Sequence, residues 1–418
     1  MKTILTLTAF EYKKLARQKS TLVLALAAIL FSVLAAVLNT FGGSYYSCIG
    51  TGLTAPEGLA ADRQVIREHR GIVDDEYLKT VTAKTQAVLG SEDSYFISAD
   101  GVRRLKPEMG IQYKLPFYHV YFFLGDVAGK MYGDSAGAYP QDLLFPSQME
   151  NFYENYKALL LDSINADSKL TQAEKVKQSG MVSRIRTPFY NDYNQGFSSF
   201  RNMLPMVGMI ILTLISVFCS GIFGNEYQER TDALVLSSKY GKNKCIAAKL
   251  LLGLSLSALT CAVLCLVYLF GFLSFHGASG AGTPLQFLHG FGLSVYPVTV
   301  LESVLITIGA DCFVSMMFGA LVMLLSAFIR RPYISVTVSL LAALFPVFIP
   351  ASGDRLITQL ISLLPLRAFD YSSMFSEYFY SFGQIVFTPA AFYILLSLMA
   401  GVILLPAAYQ GFGHHQVL

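Results

Sequence analysis

"NEYQERTDALVLSSKYGKNKCIAAK", residues 225–249, stands between two long apolar runs. Ahead of it, residues 203–223 are 21 uncharged, mostly apolar positions; behind it, 250–275 are 26 more. An apolar helix needs about 20 residues to cross the hydrocarbon core of a bilayer. Each run therefore reads as a membrane span, and the charged stretch as a short loop on one face of the membrane.

The rest of the chain agrees with that reading. Of 418 residues, 54% are hydrophobic and 14% charged, against about 25% charged in soluble domains. Mean hydropathy is +0.49. Further uncharged runs fall at 20–38, 312–329, 332–353 and within 378–413, and the 18-residue run at 312–329 can extend upstream through "VLITIGA". The first is too long for a signal-peptide core and lacks a clean small-x-small cleavage site, so it reads as a retained anchor. The expectation is an α-helical polytopic membrane protein with six spans.

Lysine and arginine near span ends set orientation. Lys2, Lys13, Lys14, Arg17 and Lys19 precede the first span. Arg230, Lys239, Lys242, Lys244 and Lys249 lie in the quoted stretch, and Arg330 and Arg331 separate the fourth and fifth spans. These twelve face four acids, Glu11, Glu226, Glu229 and Asp232, a formal net of +8 (12 − 4). Placing all three segments in the cytoplasm puts both termini inside a bacterial cell membrane.

The expected layout is then an amphipathic N-terminal segment at 1–19, spans at 20–40, 202–224, 246–275, 302–329, 332–351 and 385–409, and a tail at 410–418. Residues 225–245 form the cytoplasmic loop. Outside the cell lie a domain at 41–201, a glycine-rich loop at 276–301 and an interfacial segment at 352–384. Residues 41–200 hold 16 bases and 19 acids, so their net charge opposes that of the inside. Their 160 residues are enough for a separate core. "TAPE" (54–57) and "TQAE" (171–174) fit the Ser/Thr-x-x-Glu capping box, predicting helices over 56–69 and 172–179. Others are expected at 75–89 and 148–164, while "IQYKLPFYHVYFFLG" (111–125) reads as extended. This makes a mainly helical extracytoplasmic domain with minor β content. "LITQLISLLPL" (356–366) is apolar enough to lie in the membrane surface as a short helix.

Catalytic signatures are missing. The sequence has no G-x-x-x-x-G-K-[ST], H-E-x-x-H or G-x-S-x-G, and "GDVAGKM" (125–131) has the wrong spacing to cradle phosphates. The six cysteines, Cys48, Cys219, Cys245, Cys261, Cys265 and Cys312, show neither a disulfide framework nor metal spacing, and His414-His415 read as a frayed tail. Intramembrane acids are functional suspects, so Asp311 and Glu302 are candidates for a transport pathway. Asp311 lies about 28 Å along the helix from Arg330 at 1.5 Å per residue, which favours an interfacial, solvated position for both. An ion-driven transporter would need charge buried at mid-membrane, and none is evident.

Within the loop, Glu226 and Arg230 stand four apart in helix-supporting order. Thr231 or Asp232 can cap a short helix over "ALVLSS", and Gly241 can stop it. That helix carries Ala233, Leu234, Val235 and Leu236, an apolar patch framed by charge. The pattern "E-x-x-x-R-T-x-x-L-x-L-S-S-x-x-G-K-x-x-x-x-x-x-K" resembles the cytoplasmic loop of type-2 ATP-binding-cassette (ABC) exporter permeases. It matches at Glu226 or Glu229, Arg230, Thr231, Leu234, Leu236, Ser237, Ser238, Lys242 and Lys249. It departs at Ser238-Lys239-Tyr240-Gly241, where the family commonly has a proline-containing turn.

The resemblance extends to the six-span plan and, through the insert after the first span, to a bacterial subgroup of the family. It implies a permease without its own ATPase. A separate nucleotide-binding subunit, carrying ATP and Mg²⁺, would receive the loop helix, so Glu226, Glu229, Arg230, Thr231, Leu234, Leu236, Ser237 and Lys242 become expected ATPase-coupling residues. A second permease copy, or a related one, and membrane lipid are the other implied partners; no cofactor is expected on this chain. The alternative is a membrane-anchored sensor or assembly protein acting through the outer domain without transport. A four-span relative doing mechanical work outside the cell fits less well with six spans.

Overall fold

A computed structural model of the chain describes residues 2–41, 55–98, 103–106, 108–109, 116–133, 139–329, 331–349 and 354–413. Cys48, Thr54, Arg330 and His414-His415 lie outside the described residues.

Among the described residues, eight helices make the bundle and its loop. α1 (Lys2–Arg17) and α2 (Lys19–Phe41) open the chain. α3 (Gln195–Gln228), the loop helix α4 (Asp232–Ser237) and α5 (Ile246–His276) carry the quoted stretch. α6 (Val300–Phe328), α7 (Pro332–Leu344) and α8 (Pro389–Gly413) complete it. Among the described residues, five helices are long and apolar enough to cross a membrane: α2, α3, Gly241–His276, α6 and α8. Their outward surface is oily, with Leu26 (65% exposed), Leu30 (68%) and Val402 (75%) standing free. A contiguous apolar surface of that kind needs lipid, not water. The protein is a multi-pass helical membrane protein.

α6 lies at the centre and packs against α3, α5, α7 and α8. Close approach depends on small residues: a Cβ on Gly319 would lie 2.1 Å from Ser257 Oγ of α5. α2 is buried only at Ala28, Ser32, Ala36 and Thr40. That four-residue repeat places one small-residue stripe on the bundle and leaves the leucines outward.

Several boundaries differ from the sequence reading. The fifth predicted span, 332–351, is a 13-residue helix followed by a tight 3₁₀ turn, Phe345–Phe348. The last one starts four residues late, because Ile385–Phe387 pairs as a strand with Tyr380–Phe382. α3 overruns its predicted 202–224 at both ends. Residues 277–299, read from sequence as a glycine-rich loop, include the 3₁₀ turns Ser279–Gly282 and Leu285–Phe287, and Leu285, Phe287 and Leu288 are buried.

The polar domain is mainly helical, with helices Ala55–Glu68, Asp75–Gly90, Tyr118–Tyr132, Phe152–Ala166 and Gln172–Val182. Two small antiparallel pairs add the strand content, Gly71–Val73 with Phe189–Asn191 and Tyr95–Ile97 with Arg103–Leu105. The predicted capping box at 171–174 is present, with Thr171 and Glu174 exchanging backbone bonds of 2.8 and 3.3 Å. The extended reading of 111–125 is overturned for residues 118–125, which are helical; residues 111–115 lie outside the described residues. Val120, Phe123, Leu124, Val127 and Ala128 are buried at helical spacing, a period hidden by reading the segment only to residue 125.

The domain grips the bundle through the turns that precede α6. Tyr156 donates to the Gly292 carbonyl at 2.7 Å, and Asp126 accepts from the Gly292 N–H at 2.8 Å. Arg355 binds Glu174, pinning helix Arg355–Ser362 to the domain. That helix buries none of its residues and exposes Leu356 and Leu360.

His119 gives the domain an acid limit. Burial lowers its pKa to about 3, whereas an unfolded imidazole titrates near 6.5. Its contribution is therefore complete above pH 6.5 and is lost as pH falls toward 3, by about 1.4 kcal/mol per pH unit. His119→Gln is expected to flatten this acid limb in melting curves recorded between those values. An unchanged slope would remove His119 as the cause.

Candidate functional site

The charged stretch folds at the bundle end opposite the polar domain. α3 ends at Gln228, and Arg230 then takes the left-handed conformation at φ 54°. The Thr231 N–H returns to the Glu226 carbonyl at 2.9 Å, and α4 begins. After α4, a single π turn, Gly241–Cys245, leads into α5. The turn's entry is cramped: a Cβ on Gly241 would stand 1.7 Å from the Val235 carbonyl oxygen. Tyr409 of α8 braces the turn from the side, donating to the Lys242 carbonyl at 2.8 Å.

α4 is two-sided. Leu236 is buried (6% exposed) and Leu234 stands out (74%). The patch predicted over residues 233–236 thus divides, with Leu236 belonging to the bundle's own core and Leu234 exposed. Thr231 occupies the capping position but makes no side-chain cap. Its hydroxyl turns back to Glu226 Oε2 at 2.6 Å.

Glu226 is the hub. It is buried, and its Oε1 lies 2.9 Å from Lys249 Nζ and 2.8 Å from Lys14 Nζ. Lys249 also reaches Glu11 at 3.2 Å and the Ile222 carbonyl at 3.3 Å. Two acids and two bases therefore close a neutral network that joins α1, α3 and α5, and Thr231 ties α4 to it. Desolvation pulls the Lys14 pKa down, but its hydrogen bond and charge contact with Glu226 outweigh that and raise it. The Glu226–Arg230 pairing expected from sequence does not form; Arg230 turns away after the helix end, and Glu226 bonds inward instead.

The remaining predicted coupling residues lie around this hub. Glu229 is exposed at the α3 end, with its N–H on Asn225 O at 2.8 Å. Ser237 is exposed and bonds Leu234 O at 3.1 Å, and Lys242 is exposed on the π turn. The two intramembrane acids separate. Glu302 caps the start of α6, accepting from the Thr299 N–H at 2.8 Å, so its carboxylate has a structural task. Asp311 is fully buried, and neither carboxyl oxygen has a partner. The solvated reading of Asp311 is thereby overturned, because α3, α5 and α8 surround its helix.

Sequence reasoning missed Glu11, Lys14 and the pairing role of Lys249. The signal was in "IAAKLLLG" (246–253): a lysine amid apolar residues at the start of a long helix calls for a buried partner. Among the described residues, no three His, Cys, Asp or Glu side chains converge as a metal site. The chain matches no protein-family model, and a search of curated proteins finds no match.

Proposed function

We propose that this chain is the membrane-spanning permease subunit of an ABC exporter, with six spans, both termini cytoplasmic and the polar domain outside a bacterial cell membrane. A separate ATPase supplies ATP and Mg²⁺ and docks on α4, while a second permease chain completes the pathway. The observation that carries this reading is Leu234, held outward on a short helix whose base is fixed to three other helices through Glu226. A push on α4 would reach α1, α3 and α5 together. A cavity of about 460 Å³ at the domain end, lined by Arg201, His289, Phe291, Asp370, Tyr371 and Glu377, is the exit this reading gives to cargo.

Leu234→Asp separates docking from folding. Because the side chain is exposed, stability is expected to change by no more than about 0.5 kcal/mol. Capture of a nucleotide-binding subunit, identified by photolabelling with an azido-ATP on copurified material, should fall at least tenfold. Leu236→Asp is expected instead to unfold the loop, because it buries an unpaired charge. An ATPase that stays bound to the Leu234→Asp protein would refute the docking assignment.

A further inference from the structure

α6 carries a polar stripe that its apolar setting does not require. Ser303, Thr307, Asp311 and Ser315 follow at four-residue steps, all at 0% exposure, and Gly319 continues the row. At one end Ser303 Oγ meets the Tyr371 hydroxyl. Near the other, Ser326 donates to the Ser220 carbonyl of α3 at 2.6 Å. Between them the partners run out. Both oxygens of Asp311 and the hydroxyls of Ser315 and of Ser216 on α3 are buried without a hydrogen bond.

Among the described residues, no cation offsets this carboxyl. The titratable groups within its electrostatic reach are Cys312 on α6, Cys261 and Cys265 on α5, and Tyr393 on α8. α3 has no titratable side chain between Arg201 and Cys219. α7 offers only Tyr333, at its far end. Arg367, on the short helix Pro365–Ala368 packed against α6, gives its guanidinium to the Ile349 carbonyl at 3.1 Å. Burying an ionised carboxylate without a partner costs several kcal/mol even after relaxation. A neutral acid forgoes only hydrogen bonds.

We propose that Asp311 is a proton-binding site: its carboxyl holds a proton while α3, α5, α6 and α8 are packed in this way, and exchanges it when the seam between them opens. On exchange the O–H bond breaks, the proton passes to entering water and the electron pair stays on the carboxylate. Thr307 and Ser315, one turn away on either side, supply hydroxyls along the route. The inference does not depend on ATP-driven transport, and it adds a proton-linked step to any motion of the bundle.

Infrared difference spectroscopy of the full chain in lipid nanodiscs at neutral pH tests it. Wild type minus D311N is expected to leave one carbonyl band of a protonated carboxylic acid, sensitive to deuterium. Ser315→Ala should move that band without removing it. Should D311N not fold, D311E, which keeps the acid and displaces the band, provides the difference. A wild-type protein whose difference spectrum holds only carboxylate bands would overturn the proposal, as would an acid band unaltered by both substitutions.

Discussion

Lys249→Met is expected to destabilise the bundle by about 3–5 kcal/mol, the usual cost of removing one member of a buried ion pair. The methionine fills much of the same space, so the loss is electrostatic. Glu226 retains Lys14 at 2.8 Å, but Glu11 loses its 3.2 Å contact with Lys249 and the network is left one charge negative. Adding Glu226→Gln restores neutrality, so the double variant should be more stable than Lys249→Met alone. A double-mutant cycle on thermal melting in mild detergent reads this coupling. Simple additivity of the two changes would mean that the network is not a unit.

Gly241→Ala is expected to disrupt the loop, at a cost of at least the 1–3 kcal/mol of an overpacked site. The clash is with backbone, the Val235 carbonyl at 1.7 Å, so no rotamer change relieves it. Either α4 or the π turn must move, and the Tyr409 bond to Lys242 is lost. Limited trypsin digestion should then cut at Lys239, Lys242 or Lys244 well before the wild type is cut, while bulk helicity is retained. A digestion pattern matching the wild type would show that the loop absorbs a methyl group.

The bundle was legible because its signal is long-range composition. Runs of 20 apolar residues survive errors of a few positions, and five of the six predicted runs hold a long apolar helix among the described residues, while the run at 332–353 holds one of 13 residues. The capping box at Thr171–Glu174 was legible because it is a local exchange between four residues. The same pattern in "TVLE", residues 299–302, passed unnoticed, and Glu302 was weighed as an intramembrane acid when it is a cap. What could not be read were partners distant in sequence. Lys14 meets Glu226 across 212 residues, and neither residue's neighbours announce the other. Asp311 was misplaced for a related reason: distance along one helix fixes depth, whereas burial depends on the helices packed beside it. Leu236 shows the same limit, since an apolar residue in a loop helix can face a partner or its own core, and spacing alone does not choose.

The separation between Lys14 and Glu226 also bears on how the protein is made. While the ribosome is still synthesising the polar domain, Glu11 and Lys14 have emerged but Glu226 and Lys249 do not yet exist. The N-terminal charges are therefore hydrated while the polar domain is made. Glu11 is buried, and Lys14 half-buried, only when the third apolar helix follows, more than two hundred residues later. The quartet can thus close as soon as Lys249 has been made, before α6, α7 and α8 are synthesised. Nascent chains truncated before residue 249 should accordingly leave the N-terminal helix open to added protease.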